Sequence, residues 1–167
     1  MKKNFSYLKL LGVYFFGSGG QKVVLRYRVA KWLYLRGYRK LSLLLFRNLE
    51  NGYGVYISPN ASIGIGLKLP HPTGIVIGNG VTIGENCTIY QQVTFGGARM
   101  GDAQKNHYPQ IGNDVVVFAG AKLIGNIFVH SRSVIGANSV VIKDVPEGCI
   151  AVGVPAKIKE TKIHSLG

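Results

Sequence analysis

Hydrophobic residues recur at every sixth position through most of the chain, in three blocks that together hold thirteen hexads. A period of six fits neither an α-helix, with its period of about 3.6 residues, nor a strand, whose side chains alternate. It predicts a parallel β-helix, an all-β solenoid in which each hexad forms one side of a triangular prism and three hexads complete a coil, giving roughly four coils. The first residues of the hexads are Ile57, Ile63 and Leu69, then Ile77, Ile83, Ile89 and Phe95, then Ile111, Val117, Leu123, Val129, Ile135 and Val141.

Two other positions of the hexad support this prediction. Four residues after most starters stands a small or β-branched residue, which we expect to pack inside the prism beside a corner. Glycine often follows the starter, where we expect it to tolerate unusual backbone angles. The inward positions are Ala61, Thr73, Val81, Cys87, Val93, Val115, Ala121, Ile127, Ser133, Ser139 and Val145, and the glycines are Gly64, Gly78, Gly84, Gly96, Gly112 and Gly136.

The 167 residues fit one solenoid domain with a helical appendage. We expect a basic helical segment over 1–50, the solenoid over 51–153 with an excursion loop at 97–109, and a tail over 154–167. Two cysteines are too few for a disulfide framework, and Cys87 falls on an inward position. The sequence has neither a secretory signal nor an apolar run long enough to span a bilayer, so a cytoplasmic location is the default expectation.

The net charge of +13 is concentrated near the amino terminus, where residues 1–49 contain eleven Lys and Arg and no Asp or Glu. This segment predicts a helix from about Gln21 to Asn48 with a break near Gly37. One interpretation is a helix pair that caps the first coil and leaves its cations in solvent. The other adds peripheral contact with the inner face of the cell membrane. No nucleic-acid-binding module accompanies the charge, so nucleic acid is not an expected partner.

Two interruptions of the hexad register each carry a histidine. The spacing from Leu69 to Ile77 is eight and includes His71, and the spacing from Phe95 to Ile111 is sixteen and includes His107. Loops on a rigid scaffold are common sites of function, although a histidine at such a slip also serves as a turn residue or a structural hydrogen-bonding group.

The run from Tyr27 to Ile158 resembles the serine acetyltransferases and the polysaccharide O-acetyltransferases, which are hexapeptide-repeat acyltransferases with a left-handed parallel β-helix. The resemblance rests on an ordered set of motifs that includes both histidines. They are Tyr27-Arg28-Val29-Ala30, Ile57-Ser58-Pro59-Asn60-Ala61, His71-Pro72-Thr73-Gly74-Ile75-Val76-Ile77-Gly78, Val93-Thr94-Phe95-Gly96-Gly97, His107-Tyr108-Pro109-Gln110-Ile111-Gly112, Ala119-Gly120-Ala121-Lys122-Leu123-Ile124-Gly125-Asn126, Ile135-Gly136-Ala137-Asn138-Ser139-Val140-Val141 and Gly153-Val154-Pro155-Ala156.

The resemblance implies transfer of an acetyl group from acetyl-CoA directly to a hydroxyl, with His71 as the general base and no metal. An imidazole with an ordinary pKa near ~6.5 suits that role, because a hydroxyl is a poor nucleophile until its proton is removed. The family also implies a homotrimer in which His107 reaches the acceptor site from the adjacent subunit, and an acetyl-CoA groove between neighbouring prisms. The matching groove residues are Gly96, Gly97, Ala98, Ala119, Gly120 and Ala137, with Lys143 and Lys157, besides Lys122 and Lys159, as candidate cations for the phosphates.

Departures from the serine acetyltransferase pattern bear on the acceptor. Those enzymes usually have Asp at the positions of Pro70 and Tyr56 and Arg at the position of Asn106, residues suited to a free amino acid. Their absence favours a sugar hydroxyl of a capsule or lipopolysaccharide, with Tyr56, Asn106 and Tyr108 as acceptor-binding residues. Serine, in cysteine biosynthesis, is the alternative acceptor.

Two other classes use the same solenoid. A γ-type carbonic anhydrase would hold zinc with three histidines, and His71 and His107 have the spacing of two of them. The third would stand where the chain has Gly112, which leaves the site one ligand short. A scaffold without catalytic activity is the remaining alternative.

Overall fold

The structure is a computed structural model that describes residues 7–98 and 107–160, with side chains described from Leu11 onward. Three helices precede the solenoid: α1 (Tyr7–Phe16), α2 (Gly19–Leu35) and α3 (Arg39–Tyr53). Helix α2 starts at a reciprocal capping box of Ser18 and Gln21. The predicted helix over 21–48 and its break at Gly37, which has a φ of 86°, are confirmed by α2 and α3. Helix α1 was not predicted, and α3 runs past the expected boundary at residue 50.

The remaining described chain forms short strands separated by corners. They are β1 (Tyr56–Ile57), β2 (Ser62–Ile63), β3 (Val76–Ile77), β4 (Thr82–Ile83), β5 (Thr88–Ile89), β6 (Thr94–Gly96), β7 (Gln110–Ile111), β8 (Val116–Val117), β9 (Lys122–Ile124), β10 (Phe128–Val129), β11 (Val134–Ile135), β12 (Val140–Val141), β13 (Ile150–Val152) and β14 (Lys157–Lys159).

The strands stack on three faces of the prism, and between β3 and β12 every third strand belongs to the same face. Face A has the order β1-β3-β6-β9-β12, face B has β2-β4-β7-β10, and face C has β5-β8-β11-β13-β14. All pairs are parallel except β13 with β14. The predicted left-handed β-helix with short amino-terminal helices is confirmed. The segment expected as a tail from 154 contains β14, which returns antiparallel along β13 because strand pairing there satisfies the last exposed edge of face C.

The hexad starters point into the prism, where each is at most 7 % exposed. The residue four positions later is also buried in every predicted case except Thr73. The extra residues of the slip before β3 shift the register there, so that Ile75 occupies the inward position instead. Inward hydroxyls are satisfied: Ser133 donates to the carbonyl of Pro146 at 2.8 Å, and Ser139 accepts from the amide of Gly153 at 3.1 Å.

The glycines after the starters have a different role from the one expected. Left-handed φ values occur at corners, three residues after many starters, at positions such as Gly66, Asn86 and Gly120. Gly84, by contrast, has ordinary φ, and a β-carbon on it would lie 2.6 Å from the carbonyl of Gly112 in the next coil. Glycine is needed at this position because the coils stack backbone against backbone.

Helix α2 closes the first coil, as the capping interpretation predicted. Lys31 donates to the carbonyl oxygens of Pro59 and Ala61 at 2.8 and 3.0 Å, and Arg28 donates to those of Ile63 and Gly64. These cations therefore satisfy exposed backbone acceptors at the solenoid edge instead of lying in solvent. Burial lowers the pKa of both the Arg28 guanidinium and the Lys31 ammonium. Within the described ranges, no helix has the length and apolar content needed to cross a bilayer.

Replacing Gly84 by Ala should lower the free energy of unfolding by about 2 kcal/mol, because the added methyl group forces two coils apart. Urea denaturation monitored by circular dichroism measures the change. Gly52→Ala is the matched control, since its β-carbon would meet nothing within 4 Å. Equal stability of the two variants would contradict the stacking argument.

Candidate functional site

His71 lies on an exposed bend that is held at both ends. On one side Leu69 is buried, and the backbone of Gly20 in α2 packs so closely against its carbonyl that a β-carbon there would overlap it. On the other side the amide of Gly74 donates to the carbonyl of Gly54 at 2.8 Å, and the carbonyl of Thr73 accepts from the amide of Gln92 at 3.0 Å. The scaffold is therefore fixed around a histidine that extends into solvent.

The bend with His71 belongs to the corner where face C turns into face A. Above it the corner repeats once per coil through Gln92, Gly120 and Asn138, all with left-handed φ. The coils are joined by hydrogen bonds from the amide of Gly120 to the carbonyl of Gln91, at 2.9 Å, and from Asn138 to Ala119, at 2.8 Å. Three predicted groove residues, Ala119, Gly120 and Ala137, thus share a corner with His71.

An aromatic pair lies beside this corner. The rings of Tyr90 and Phe118 stack with their centroids 5.2 Å apart, and Phe118 is 40 % exposed. Each follows a strand of face C by one residue. They provide an apolar wall next to the small residues of the corner, a combination typical of ligand grooves.

Gly96, Gly97 and Ala98 stand at the opposite edge of face A. Strand β6 ends at Gly96, whose carbonyl accepts from the amide of Gly125 at 2.9 Å. A β-carbon on Gly96 would meet nothing closer than the Ile124 side chain at 4.0 Å, and Gly97 and Ala98 are exposed. Open backbone therefore borders face A on this side, while His71 and the small residues of its corner border the other.

The predicted cations differ in availability. The ammonium of Lys122 donates to the carbonyl of Gln92 at 2.6 Å and to the hydroxyl of Thr94 at 3.3 Å, so it joins two coils. Lys143 and Lys157 are exposed and line one cavity of about 270 Å³ at the last coil. Lys159 is exposed on β14. Of the four, Lys143 and Lys157 are the pair that the structure brings together.

His107 is half-buried and lies before a strand of a different face from the strand that follows His71. It precedes β7 of face B by three residues, whereas His71 precedes β3 of face A. Tyr108, predicted to bind the acceptor, is 9 % exposed and belongs to the hydrophobic core, so its ring acts first as a packing group. Asn106 lies outside the described residues, as does most of the predicted loop 97–109.

Tyr56, the other predicted acceptor residue, is 44 % exposed and lines a cavity of about 490 Å³ between α3 and the first coil. The same cavity is lined by Arg47 and Glu50 of α3. Sequence reasoning missed these two charged residues. Arg47 falls within the predicted helix and Glu50 lies beyond its predicted end, and only the docking of α3 beside β1 brings them next to Tyr56.

The buried thiol of Cys87 is not a nucleophile for this site. Its side chain lies inside the prism and donates to the carbonyl of Gly112 at 3.2 Å. Burial raises the pKa of this thiol, so the reactive thiolate is disfavoured near neutral pH. Among residues 7–98 and 107–160, no group of three or more His, Cys, Asp or Glu side chains is arranged to hold a metal ion.

Curated relatives of this chain are serine acetyltransferases. The enzyme of Buchnera aphidicola is 47 % identical over 132 residues, which cover 79 % of this chain and 48 % of the relative. That of Synechococcus elongatus is 40 % identical over 139 residues, covering 83 % and 56 %. This chain thus spans about half the length of these relatives. No protein-family model matches it.

Solved structures give the same result. A serine acetyltransferase in complex with CoA has a TM-score of 0.79 and 36 % identity, covering 89 % of this chain and 60 % of that one. Soybean serine acetyltransferase complexed with serine has a TM-score of 0.79 and 34 % identity, covering 90 % and 66 %. These findings support the acyltransferase fold and the relationship to serine acetyltransferases. They do not support a polysaccharide acceptor.

Proposed function

Because the chain is related to the hexapeptide-repeat serine acetyltransferases, we propose that it is an acetyl-CoA-dependent O-acetyltransferase. The observation that carries this proposal is the placement of His71. It stands exposed on a rigid bend at one edge of face A, and bare backbone at Gly96 and Gly97 borders the other edge. In the proposed assembly the His71 edge of one prism faces the bare-backbone edge of a neighbouring prism, which gives acyl transfer from a thioester to a hydroxyl both a general base and a backbone groove.

In the proposed reaction the His71 imidazole removes the proton of the acceptor hydroxyl as its oxygen attacks the thioester carbonyl carbon. The carbon–sulfur bond then breaks, and the imidazolium returns the proton to the departing CoA thiolate. Backbone amides at the glycine-rich edge are suited to stabilise the negative charge that develops on the carbonyl oxygen. The extended arm of acetyl-CoA is assigned to Gly96, Gly97, Ala98, Ala119, Gly120 and Ala137, and its phosphates to Lys143 and Lys157.

The proposed enzyme is a homotrimer. His71 precedes a strand of face A and His107 precedes a strand of face B, and the proposed trimer brings His107 of one subunit to the acceptor beside His71 of the next. Three-fold closure places one chain's face against another's and encloses a groove that a single prism leaves open.

L-serine is the acceptor that the relatives favour, since they are named for it and one similar structure is complexed with serine. Pro70 and Tyr56 supply no charge for its ammonium or carboxylate. The cavity beside Tyr56 is lined by one acid, Glu50, and by two cations, Arg47 and Lys40, so it offers groups of both signs. They are proposed to replace the charges missing from the coil.

A sugar hydroxyl of a surface polysaccharide is the second candidate acceptor. The specific observation in its favour is that Pro70, which precedes His71 in the chain, and Tyr56 carry no charge, which suits a neutral hydroxyl compound.

Replacing His71 by Ala should lower kcat by on the order of 10²–10⁴-fold while CoA binding and the oligomeric state persist, because only the proton acceptor is lost. Release of free CoA thiol measures turnover. His130→Ala is the matched control, since His130 is also exposed on the solenoid, on face B. Turnover of the His71 variant near that of the control would refute the assignment.

The kcat/KM for acetylation of L-serine should exceed the kcat/KM for each of a panel of capsule and lipopolysaccharide sugars.

Arg47→Gln should raise the KM for serine about tenfold with kcat little changed, because it removes one charged contact to the ground state and the transition state alike. Arg39→Gln on the same helix, outside the cavity lining, should leave the KM unchanged. A kcat/KM for one of the sugars above that for L-serine would instead identify the sugar hydroxyl as the acceptor.

A further inference from the structure

The helix pair that caps the first coil exposes large apolar side chains away from its buried stripe. Helix α2 buries Val23, Tyr27 and Ala30 against the rest of the molecule but leaves Trp32 51 % exposed, and α3 leaves Leu44 61 % exposed. We define the cap patch as the exposed large apolar residues of α2, α3 and their connecting turn: Val29, Trp32, Leu35, Tyr38, Leu41, Leu43 and Leu44.

Cations are interleaved with the cap patch. Arg36, Arg39 and Lys40 are exposed at the turn between α2 and α3, and the Arg36 guanidinium lies over the Trp32 ring at 4.7 Å from its centroid. Unlike Arg28 and Lys31, they donate no hydrogen bond to the solenoid backbone in the part of the chain that the structure describes. Because residues 1–49 contain no acid, the surface presents apolar and positive groups together.

We propose that the cap patch binds the surface of an anionic phospholipid bilayer. Apolar side chains with Trp and Tyr among them partition into the headgroup region, and interleaved cations attract anionic lipid. A second copy of this chain is a poor occupant, because two cap patches would oppose like charges. The helix pair would then contact the membrane, with the first coil of the solenoid nearest to it and the later coils directed toward solvent.

The single tryptophan of the chain lies in the cap patch and reports on its environment. Adding vesicles of phosphatidylcholine with phosphatidylglycerol to the full-length protein should shift Trp32 emission to shorter wavelength. Vesicles of phosphatidylcholine alone should give at least tenfold weaker binding, and sodium chloride should weaken binding to the anionic vesicles.

Matched variants separate the cap patch from the net charge. The triple variant Arg36→Gln, Arg39→Gln, Lys40→Gln should bind anionic vesicles about tenfold or more weakly. The triple variant Lys68→Gln, Arg132→Gln, Lys159→Gln removes the same charge from exposed solenoid positions and should bind within about twofold of the parent. Leu44→Ser should weaken binding more than Ile65→Ser, although the two side chains are 61 % and 62 % exposed.

Four results would overturn the proposal. They are no emission shift with anionic vesicles, equal losses in the two triple variants, a shift that depends on protein concentration without lipid, and a larger shift with RNA than with vesicles. The third would assign the patch to a second copy of the chain, and the fourth to nucleic acid. Acetyl transfer to a soluble acceptor is measured separately, so failure here leaves the proposed activity untouched.

Discussion

Backbone-to-backbone stacking of successive coils is the constraint on which the rest of the structure depends. Each coil donates amides to the carbonyls of the next, as Val76 does to Val93 at 2.9 Å and Thr94 to Ala121 at 3.0 Å. The spacing of these bonds leaves no room for a β-carbon at Gly64, Gly84 or Gly112. An inserted segment must therefore loop out of the prism, because an extra residue inside a coil would break the hydrogen-bond register of the coils above it. The ends of the stack need covering for the same reason, and α2 and β14 provide it.

This constraint explains why the candidate chemistry is found at interruptions. A regular coil offers only short exposed sides and tight corners, whereas a slip of the register can present a long side chain without disturbing the core. The bend at His71 is the clearest case: Leu69 and Ile75 remain buried on either side of an exposed imidazole. In later coils Ala119, Gly120 and Ala137 stand at this corner, and their small size leaves little side chain over the surface there.

The hexad pattern predicted the solenoid and its inward residues other than Thr73, because these depend on local periodicity. The helical segment predicted its own break near Gly37 for the same reason. The role of the glycines after the starters was misjudged because close approach between coils is a non-local contact. The contacts between the helices and the first coil are also non-local. The local sequence therefore does not show that Arg28 and Lys31 contact carbonyls of that coil. It likewise does not show that Arg36 and Lys40 remain exposed. Arg47 and Glu50 were missed because their position beside Tyr56 arises only when α3 docks on β1. Recognition of the acceptor depends on non-local contacts of this kind, whereas the reaction class follows from motifs along the chain. The sequence therefore predicted the reaction class but not the acceptor.

His71 and His107, which precede strands of different faces in one prism, are proposed to act together across a subunit boundary. Mixing subunits after dissociation tests it most directly, using His71→Ala and His107→Ala chains that are each inactive alone. If the site is shared, reassembled mixed trimers contain interfaces with one intact His71 and one intact His107, and activity should return to a substantial fraction of the parent value. If mixed trimers form, as shown by differently tagged subunits purifying together, and activity does not return, the shared site is contradicted.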